Sequence, residues 1–232
     1  MAAVICPHCI GLLMIDIWWY GQACFRIKGR NTTIVVDPYD ANFTGLSPLK
    51  VEGDVVCITH DHEDHNNAQA VKGTSDAKSP FVTSGPGEYE ISGVNIVGVS
   101  SFHDNKEGEE RGKNTVYKIT IDDVDFVHLG DLGQKKLTQV QIETLSSCDV
   151  LFIPVGGVYT ISAGDVPDII SAIEPKIIVP MHYKVAKLKF DLDPVSKFLE
   201  VMGKEKLEPI SKLSISKEKL PQEVEIAVLE QQ

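Results

Sequence analysis

Hydrophobic residues in the first half of the chain recur with the period of β-strands. Short runs of alternating or β-branched apolar residues predict strands, because successive side chains of a strand point to opposite faces of a sheet. These runs cover residues 15–20, 23–27, 33–36, 55–59, 81–83, 89–97, 115–121 and 124–128. Gly21-Gln22 and Asp122-Asp123 separate neighbouring runs and predict hairpin turns. The first half is therefore predicted to be mostly sheet.

The second half alternates between helical spacing and strand runs. Helical spacing of apolar residues covers residues 137–145, 166–173 and 194–201. Strand runs cover residues 149–153, 176–179, 212–216 and 223–228. A short helix is also predicted at residues 66–71, and the charges and glycines of residues 104–113 indicate an exposed loop. Because no repeat, low-complexity tract or long linker interrupts this order, we expect a single domain over residues 14–232.

The net charge limits the partners that the protein can bind, and the cysteine content indicates its compartment. Asp and Glu number 33 against 22 Lys and Arg, which gives a net charge of -11. A field of this sign repels nucleic acid and anionic membrane, so we expect neither as a partner. Five cysteines are an odd number for a disulfide framework and favour a reducing cytoplasm. The oligomeric state is left open, and a homo-oligomer is compatible with the sequence.

The N-terminal residues 1–13 are apolar but lack the basic region and the cleavage site of a signal peptide. Pro7 and His8 interrupt them as a spanning helix. The Cys6 and Cys9 pair has the spacing of a redox motif, although no strand precedes it as such motifs require. We therefore expect residues 1–13 to be an extension outside the working domain or the product of a misassigned start.

Histidines cluster at one point of the chain. Only seven occur in 232 residues, yet His60, His62 and His65 fall within six positions, together with Asp64. This segment follows the predicted strand 55–59, so the polar side chains leave the end of a strand in a loop. Imidazole nitrogens and carboxylate oxygens suit zinc and similar divalent ions. The spacing indicates a metal site rather than a solvated polar loop.

The run His60-x-His62-x-Asp64-His65 resembles the signature H-x-H-x-D-H of the metallo-β-lactamase superfamily. The superfamily's other metal ligands have counterparts at the ends of later predicted strands. These counterparts are His103, Asp131 and His182. The resemblance covers nearly the whole chain from residue 14. Pro86-Gly87-Glu88-Tyr89-Glu90 and Pro154-Val155-Gly156-Gly157 are similar to the Zn-dependent hydrolase-like group related to ascorbate-6-phosphate lactonase.

The resemblance implies an α/β (α+β four-layer) fold, an αββα sandwich with the metal site at one edge of its two sheets. It also implies that His60, His62 and His103 bind one ion, that Asp64, His65 and His182 bind a second, and that Asp131 bridges them. A hydroxide bound to the two ions would then attack a small anionic ester, lactone or phosphodiester. Asp64 and Asp131 are the predicted catalytic carboxylates. The ions are expected to be Zn²⁺, with Mn²⁺ as the alternative.

Three other functions fit parts of the pattern. RNA or DNA phosphodiesterases share the motif, but the acidic charge disfavours them. Di-iron oxidoreductases of this fold replace a motif histidine that is retained here as His62. A non-catalytic scaffold would use a closed, four-coordinate site, whereas seven ligands for two ions leave positions open.

Several residues near the predicted ligands have two interpretations. Asp37 follows strand 33–36 and either fixes a ligand histidine or occupies a turn. His128 and Tyr159 are candidates for the acid that protonates the leaving group, although His128 lies within an apolar strand. Lys184 and Lys187 either bind an anionic group or are solvated. Gly156-Gly157 either shapes the substrate pocket or forms a turn.

Overall fold

The computed structural model describes residues 13–75 and 79–232. The strands are β1 (Ile15–Gly21), β2 (Cys24–Lys28), β3 (Thr33–Val36), β4 (Val51–Glu52), β5 (Val55–Ile58), β6 (Val71–Lys72), β7 (Phe81–Ser84), β8 (Gly87–Ile91), β9 (Val94–Phe102), β10 (Lys113–Ile121), β11 (Val124–His128), β12 (Val150–Pro154), β13 (Ile177–Met181), β14 (Leu213–Ile215) and β15 (Glu225–Ile226). The helices are α1 (Ala41–Thr44), α2 (Gln139–Leu145), α3 (Val166–Ile173) and α4 (Val195–Val201).

The first sheet has six strands in the order β14-β1-β2-β3-β5-β7. Strands β14, β1, β2 and β3 pair antiparallel, and β3, β5 and β7 pair parallel. The carboxyl ends of parallel strands lie at one edge of a sheet. Asp37 after β3 and the histidine-rich loop after β5 are therefore neighbours at this edge.

The second sheet has seven strands in the order β15-β13-β12-β11-β10-β9-β8. Strands β11, β12, β13 and β15 pair parallel, whereas β8, β9, β10 and β11 pair antiparallel. Because β9 and β11 flank the antiparallel β10, both run in the same direction. His103 after β9, Asp131 after β11 and His182 after β13 consequently lie at one edge of this sheet.

Alternation along the strands builds two hydrophobic clusters, one on each face of the six-stranded sheet. Ile34 and Val36 belong to the main core, which also contains the buried residues of the seven-stranded sheet, and Val35 belongs to a second cluster. Strand β5 divides in the same way between Cys57 and Val56. Alternate side chains of one strand thus contact different layers, as a strand buried on both faces requires.

Helices α2 and α3 contact each other, and Leu145, Ile169 and Ile173 contribute buried side chains to the main core. Helix α2 begins with a reciprocal capping box, in which the Thr138 side chain accepts from the Gln141 backbone and the Gln141 side chain accepts from the Thr138 backbone. Such a box satisfies two backbone donors that have no partner within the helix.

The predicted strands and helices are largely confirmed, with two corrections. Residues 89–97 form parts of two strands, because the chain turns at Ser92-Gly93 with positive φ angles of 52° and 80°. Residues 66–71 do not form an α-helix; only Ala68–Ala70 adopt a short 3-10 turn before β6. The mixed α/β class and the turn at Asp122-Asp123 are confirmed.

The predicted extension covers residues 1–13, of which residues 1–12, with Cys6, His8 and Cys9, lie outside the described residues. No helix within residues 13–75 and 79–232 combines the length and the apolar character needed to cross a bilayer.

Candidate metal centre and its cavity

The seven predicted metal ligands come together between the carboxyl edges of the two sheets. Their side-chain donor atoms form two groups, and within each group the donor atoms lie within 4.8 Å of one another. The first group is His60, His62 and His103, and the second is Asp64, His65, Asp131 and His182. All seven side chains except that of His62 are buried. The division agrees with the two ligand sets that the resemblance implies.

Asp131 lies between the two groups. Its Oδ1 is 3.3 Å from Nε2 of His65, and its Oδ2 is 3.2 Å from Nε2 of His182. The same Oδ2 is 3.3 Å from Nε2 of His103, which belongs to the other group. A single carboxylate therefore lies next to histidines of both donor groups, as a bridging ligand must. Its backbone N–H donates to Oδ1 of the buried Asn114, which fixes the loop after β11.

Asp37 orients His60 and His65 from the side that faces away from the cluster. Its carboxylate accepts from the backbone N–H and from the hydroxyl of Thr59, and its Oδ2 lies 2.9 Å from Nδ1 of His65. Because the Thr59 hydroxyl donates to Asp37, it accepts from Nδ1 of His60, 3.0 Å away. Both histidines thus carry their proton on Nδ1, and Nε2 of each is directed to the cluster. Asp37 is thus an acceptor for a predicted ligand histidine, and with its positive φ of 47° it also occupies a turn, so both interpretations apply.

Among the buried polar atoms of the cluster that have no hydrogen-bond partner, two belong to neighbouring side chains. They are Nε2 of His65 and Oδ1 of Asp131, which face each other at 3.3 Å. Burying such atoms unpaired is costly, and a cation between imidazole nitrogens and carboxylate oxygens would satisfy both. The donor set is that of zinc or manganese rather than of calcium, which prefers oxygen alone. The residues present therefore fit a divalent metal ion.

The electrostatics of the cluster keep His60 and His62 neutral and Asp131 ionised, which are the forms that bind metal, but favour a proton on His65. Burial, reinforced by the neighbouring His65, lowers the pKa of His60 to about 2, and burial also lowers the pKa of His62. Although burial raises the pKa of Asp131, His182 and His65 hold it well below its ordinary value. Although burial lowers the pKa of His65, the carboxylates led by Asp131 raise it well above its ordinary value. The carboxylates of the cluster therefore favour a positive charge at the position of His65, next to the neutral imidazoles of His60 and His62.

A cavity of about 470 Å³ opens onto the cluster. Its lining combines predicted ligands with carboxylates, aromatic rings and one guanidinium. The lining residues are Phe43, Asp61, His62, Glu63, Asp64, His103, Arg111, Asp131, Tyr159, His182 and Phe190. The Arg111 guanidinium lies over the Tyr159 ring, with 4.7 Å between Cζ and the ring centroid. The volume suits a small molecule.

Asp104 organises the loop that carries Arg111. Its buried carboxylate accepts from four backbone N–H groups, those of Lys106 and Gly108 on Oδ1 and those of Glu110 and Arg111 on Oδ2. Although burial raises the pKa of this carboxyl, these hydrogen bonds, with that from Arg111 foremost, hold the pKa at about 2. The loop that the sequence marks as exposed is thus closed around one buried charge.

The structure decides among the interpretations of the neighbouring residues. His128 is fully buried, with Nε2 bonded to the Ala23 carbonyl and Nδ1 accepting from Gly130, so its candidacy as the leaving-group acid is wrong. Tyr159 lines the cavity and keeps that candidacy. The Lys184 ammonium donates to the carbonyls of Leu188 and Phe190.

Lys187 is exposed and, like Lys184, does not line the cavity. Gly156 and Gly157 are buried and do not line it either. A Cβ at Gly156 would lie 2.1 Å from the His182 carbonyl oxygen, so this glycine permits a close approach of two loops.

Sequence reasoning missed two polar residues that support the cluster. Gln22 is fully buried in the β1–β2 turn, and its Nε2 lies 3.1 Å from Oδ2 of Asp64 and 3.3 Å from Nε2 of His182. Asn114 donates to the Leu129 carbonyl as well as accepting from Asp131. Both lie far along the chain from the residues that they contact, and neither belongs to a motif. The sequence offers no distinct signal for Asn114, because β10 contains other polar residues and the predicted strand begins at residue 115.

A family model described as a β-lactamase superfamily domain matches residues 16–182 of this chain. Among curated protein sequences, the chain is similar to a UPF0173 metal-dependent hydrolase of Thermococcus onnurineus. The two are 28% identical over 194 residues, which cover 73% of this chain and 85% of the relative. A UPF0173 metal-dependent hydrolase of Thermoplasma acidophilum is 26% identical over 200 residues, covering 77% of this chain and 85% of the relative.

Among solved structures, the chain is similar to one from Thermotoga maritima assigned to the Zn-dependent hydrolases of the metallo-β-lactamase superfamily. That structure is 35% identical, has a TM-score of 0.73, and the match covers 93% of this chain and 98% of the other. A metal-dependent hydrolase from Parabacteroides distasonis, 19% identical with a TM-score of 0.64 and 94% coverage of both chains, shares the fold. The predicted αββα sandwich fold is confirmed.

Proposed function

The chain belongs to the metallo-β-lactamase superfamily and is a metal-dependent hydrolase, and from this premise we propose that it uses two metal ions to hydrolyse a small anionic ester, lactone or phosphodiester. The observation that carries the proposal is the position of Asp131, whose two oxygens lie 3.2 to 3.3 Å from histidines of both donor groups.

Each group of donors would hold one ion. His60, His62 and His103 would hold the first and Asp64, His65 and His182 the second, with Asp131 placed between the two groups. Neutral histidines and ionised carboxylates are the ligand forms that divalent ions require. The exposure of His62 and the cavity beside it support open coordination positions rather than the closed site of a structural ion.

When bound, such ions would supply a water molecule of lowered pKa and would polarise the bond to be broken. The chain's own residues position the reactants around them. Asp64 and Asp131 are the catalytic carboxylates, because both remain ionised and can accept a hydrogen bond from the attacking water. Gln22 holds Oδ2 of Asp64 from the buried side. Tyr159 is the candidate donor to the leaving group, since its side chain lines the cavity.

Three finer features belong to the same proposal. The ions are Zn²⁺, which the histidine-rich donor set and the similarity to a Zn-dependent hydrolase support, with Mn²⁺ as the alternative. The compartment is the cytoplasm, because Cys24, Cys57 and Cys148 are buried free thiols. The relation to ascorbate-6-phosphate lactonase stays a prediction.

The proposal is tested by metal analysis combined with a substrate screen. Purified protein reconstituted with Zn²⁺ or with Mn²⁺ is assayed against bis(4-nitrophenyl) phosphate, lactones, thioesters and β-lactams. We expect about two ions per chain and metal-dependent turnover of at least one anionic ester, lactone or phosphodiester. His62→Ala should lose metal and lower kcat/KM by about 100-fold or more.

Lys187→Ala serves as the control variant, because Lys187 is exposed and lies outside the cavity. It should keep both the metal content and the turnover of the unmodified protein. Unchanged metal content in His62→Ala, or turnover that survives removal of the metal by a chelator, would contradict the proposed function.

A further inference from the structure

Arg111 is the single lysine or arginine among the described residues that line the cavity. Within residues 13–75 and 79–232 its guanidinium forms no ion pair with a carboxylate. Lys106, on the same loop, pairs with Glu110 at 2.6 Å and lies outside the cavity. An unpaired guanidinium beside a cavity presents its fork of N–H donors to whatever enters.

The position of Arg111 is fixed by its backbone and by its side chain. Its backbone N–H donates to Oδ2 of Asp104 at 2.8 Å, within the ring of hydrogen bonds that closes the loop. Its guanidinium lies over the Tyr159 ring, and cation–π contact holds a charge in place without neutralising it. The loop begins directly after His103, so the cation is tied to the same element as one predicted metal ligand. Such positioning lowers the entropic cost of binding an anion.

We propose that Arg111 is the residue that recognises the substrate, by binding a carboxylate or phosphate group that lies away from the bond to be broken. This inference rests on the proposed function. It specifies which chemical group of the substrate the cavity recognises. Guanidinium groups bind carboxylate and phosphate oxygens in a bidentate arrangement, which gives geometric selectivity as well as affinity.

The remaining lining limits the substrate further. Asp61 and Glu63 place two more carboxylates in the same cavity, and these repel a second acidic group. Phe43 and Phe190 contact each other with 5.1 Å between ring centroids and present apolar surface. The substrate that fits is therefore a molecule with one acidic group and an apolar portion, joined by the bond that is hydrolysed.

Binding of matched ligand pairs tests the inference without relying on turnover. The probes are the monohydroxamates of succinic, glutaric and adipic acid, each with a free carboxylate, and the neutral methyl ester of each. Calorimetric titration of the zinc-loaded protein gives the dissociation constants. The unmodified protein should bind the acid at least about 10-fold more tightly than its ester for at least one chain length.

Variants of the loop and of its stacking partner separate recognition from folding. Arg111→Gln should reduce the preference for the acid to about twofold or less, with affinity for the ester unchanged, and Arg111→Lys should restore part of it. Lys106→Gln removes the same charge from the same loop, outside the cavity, and should keep the full preference. Tyr159→Phe should keep the preference and Tyr159→Leu should weaken it, because the aromatic face holds the guanidinium.

Equal binding of acid and ester by the unmodified protein at every chain length, or no binding at millimolar concentration, would overturn the inference. So would a preference that survives in Arg111→Gln. Failure of the proposed function has a different signature, because the acid preference would persist in a protein that hydrolyses no substrate in a metal-dependent manner.

Discussion

Oδ2 of Asp37 lies 2.9 Å from Nδ1 of His65, and the same oxygen accepts the Thr59 hydroxyl at 2.7 Å. Through Thr59 the carboxylate also reaches Nδ1 of His60, so one buried charge fixes the tautomer of two predicted metal ligands. Asp37 adopts a positive φ of 47° at the end of β3, which turns its side chain under the histidine-rich loop. Ligand orientation in this centre therefore depends on the packing of β3 against β5.

Asp37→Asn should weaken metal binding while the fold is kept. Asparagine has the same shape and tolerates the positive φ, but it lacks the charge that holds the proton on Nδ1 of His65. Substitution of such a supporting residue lowers metal affinity by about 10-fold to 100-fold. Competition with a chromophoric chelator measures the affinity. Asp54→Asn is the matched control, because Asp54 bonds Thr33 at the other end of β5, and an identical affinity in both variants would refute the role of Asp37.

Gln22→Leu should impair the second donor group. Leucine fills a comparable volume but removes the donor that lies 3.1 Å from Oδ2 of Asp64. Loss of a hydrogen bond to a charged acceptor costs about 1.5–3 kcal/mol, so we expect kcat/KM to fall by about 10-fold or more. Gln231→Leu, which alters an amide that donates to the neighbouring Tyr20 carbonyl, is the control. Equal kinetics for Gln22→Leu and the unmodified protein would remove Gln22 from the site.

Gly156→Ala should displace His182. The added Cβ would lie 2.1 Å from the His182 carbonyl oxygen, a backbone atom that cannot rotate away. Overpacking of this kind costs about 1–3 kcal/mol of stability, and the shift of His182 should lower metal content as well. Gly164→Ala is the control, since its nearest neighbour is a Ser162 hydroxyl at 3.8 Å. Full metal content and stability in Gly156→Ala would show that the two loops are free to separate.

Asp149 should contribute stability that disappears in acid. Its buried carboxylate accepts from the Asp125 backbone, Lys176 and Lys217 at the end of the second sheet opposite the cluster. Although burial raises its pKa, these partners hold it below its ordinary value of 3.8. Because the pKa is lowered in the folded state, the stabilisation is present above about pH 4 and is lost as the pH falls through the folded-state pKa.

Asp149→Asn should therefore lower the free energy of unfolding by about 1–3 kcal/mol at pH 7, a value reduced by the partial exposure of both lysines. Urea unfolding at a series of pH values measures the difference between the two proteins. The difference should shrink below about pH 4. A difference that is the same at every pH would mean that the ion pairs contribute nothing. At pH 7 the metal content of Asp149→Asn should equal that of the unmodified protein, because Asp149 lies far from the predicted ligands.

The donor cluster could be predicted because its signal is local. Three histidines and an aspartate within six residues, and single residues at the ends of later strands, identify themselves through strand pattern and side-chain chemistry. Strands that run in the same direction have their carboxyl ends at one edge of the sheet. Because His103, Asp131 and His182 each follow such a strand, their proximity could be predicted. The family resemblance supplied the pairing of ligands into two sets.

The supporting residues could not be predicted because their signal is not local. Gln22 looks like a hairpin residue until β1 and β2 place it under Asp64, 42 positions away. Arg111 looks like a solvated charge until Asp104 closes the loop and Tyr159 meets the guanidinium. Residues 66–71 have helical composition, but the backbone there is held by Asn67, whose N–H donates to the Pro38 carbonyl. Tertiary contacts override local propensity at such positions.

A crystal structure of the zinc-reconstituted protein, with anomalous scattering recorded at the zinc edge, tests the central claim most directly. We predict two anomalous peaks in each chain. One should lie among His60, His62 and His103 and the other among Asp64, His65 and His182, with an Asp131 oxygen within bonding distance of both. A single peak, or two peaks of which neither contacts Asp131, would contradict the account.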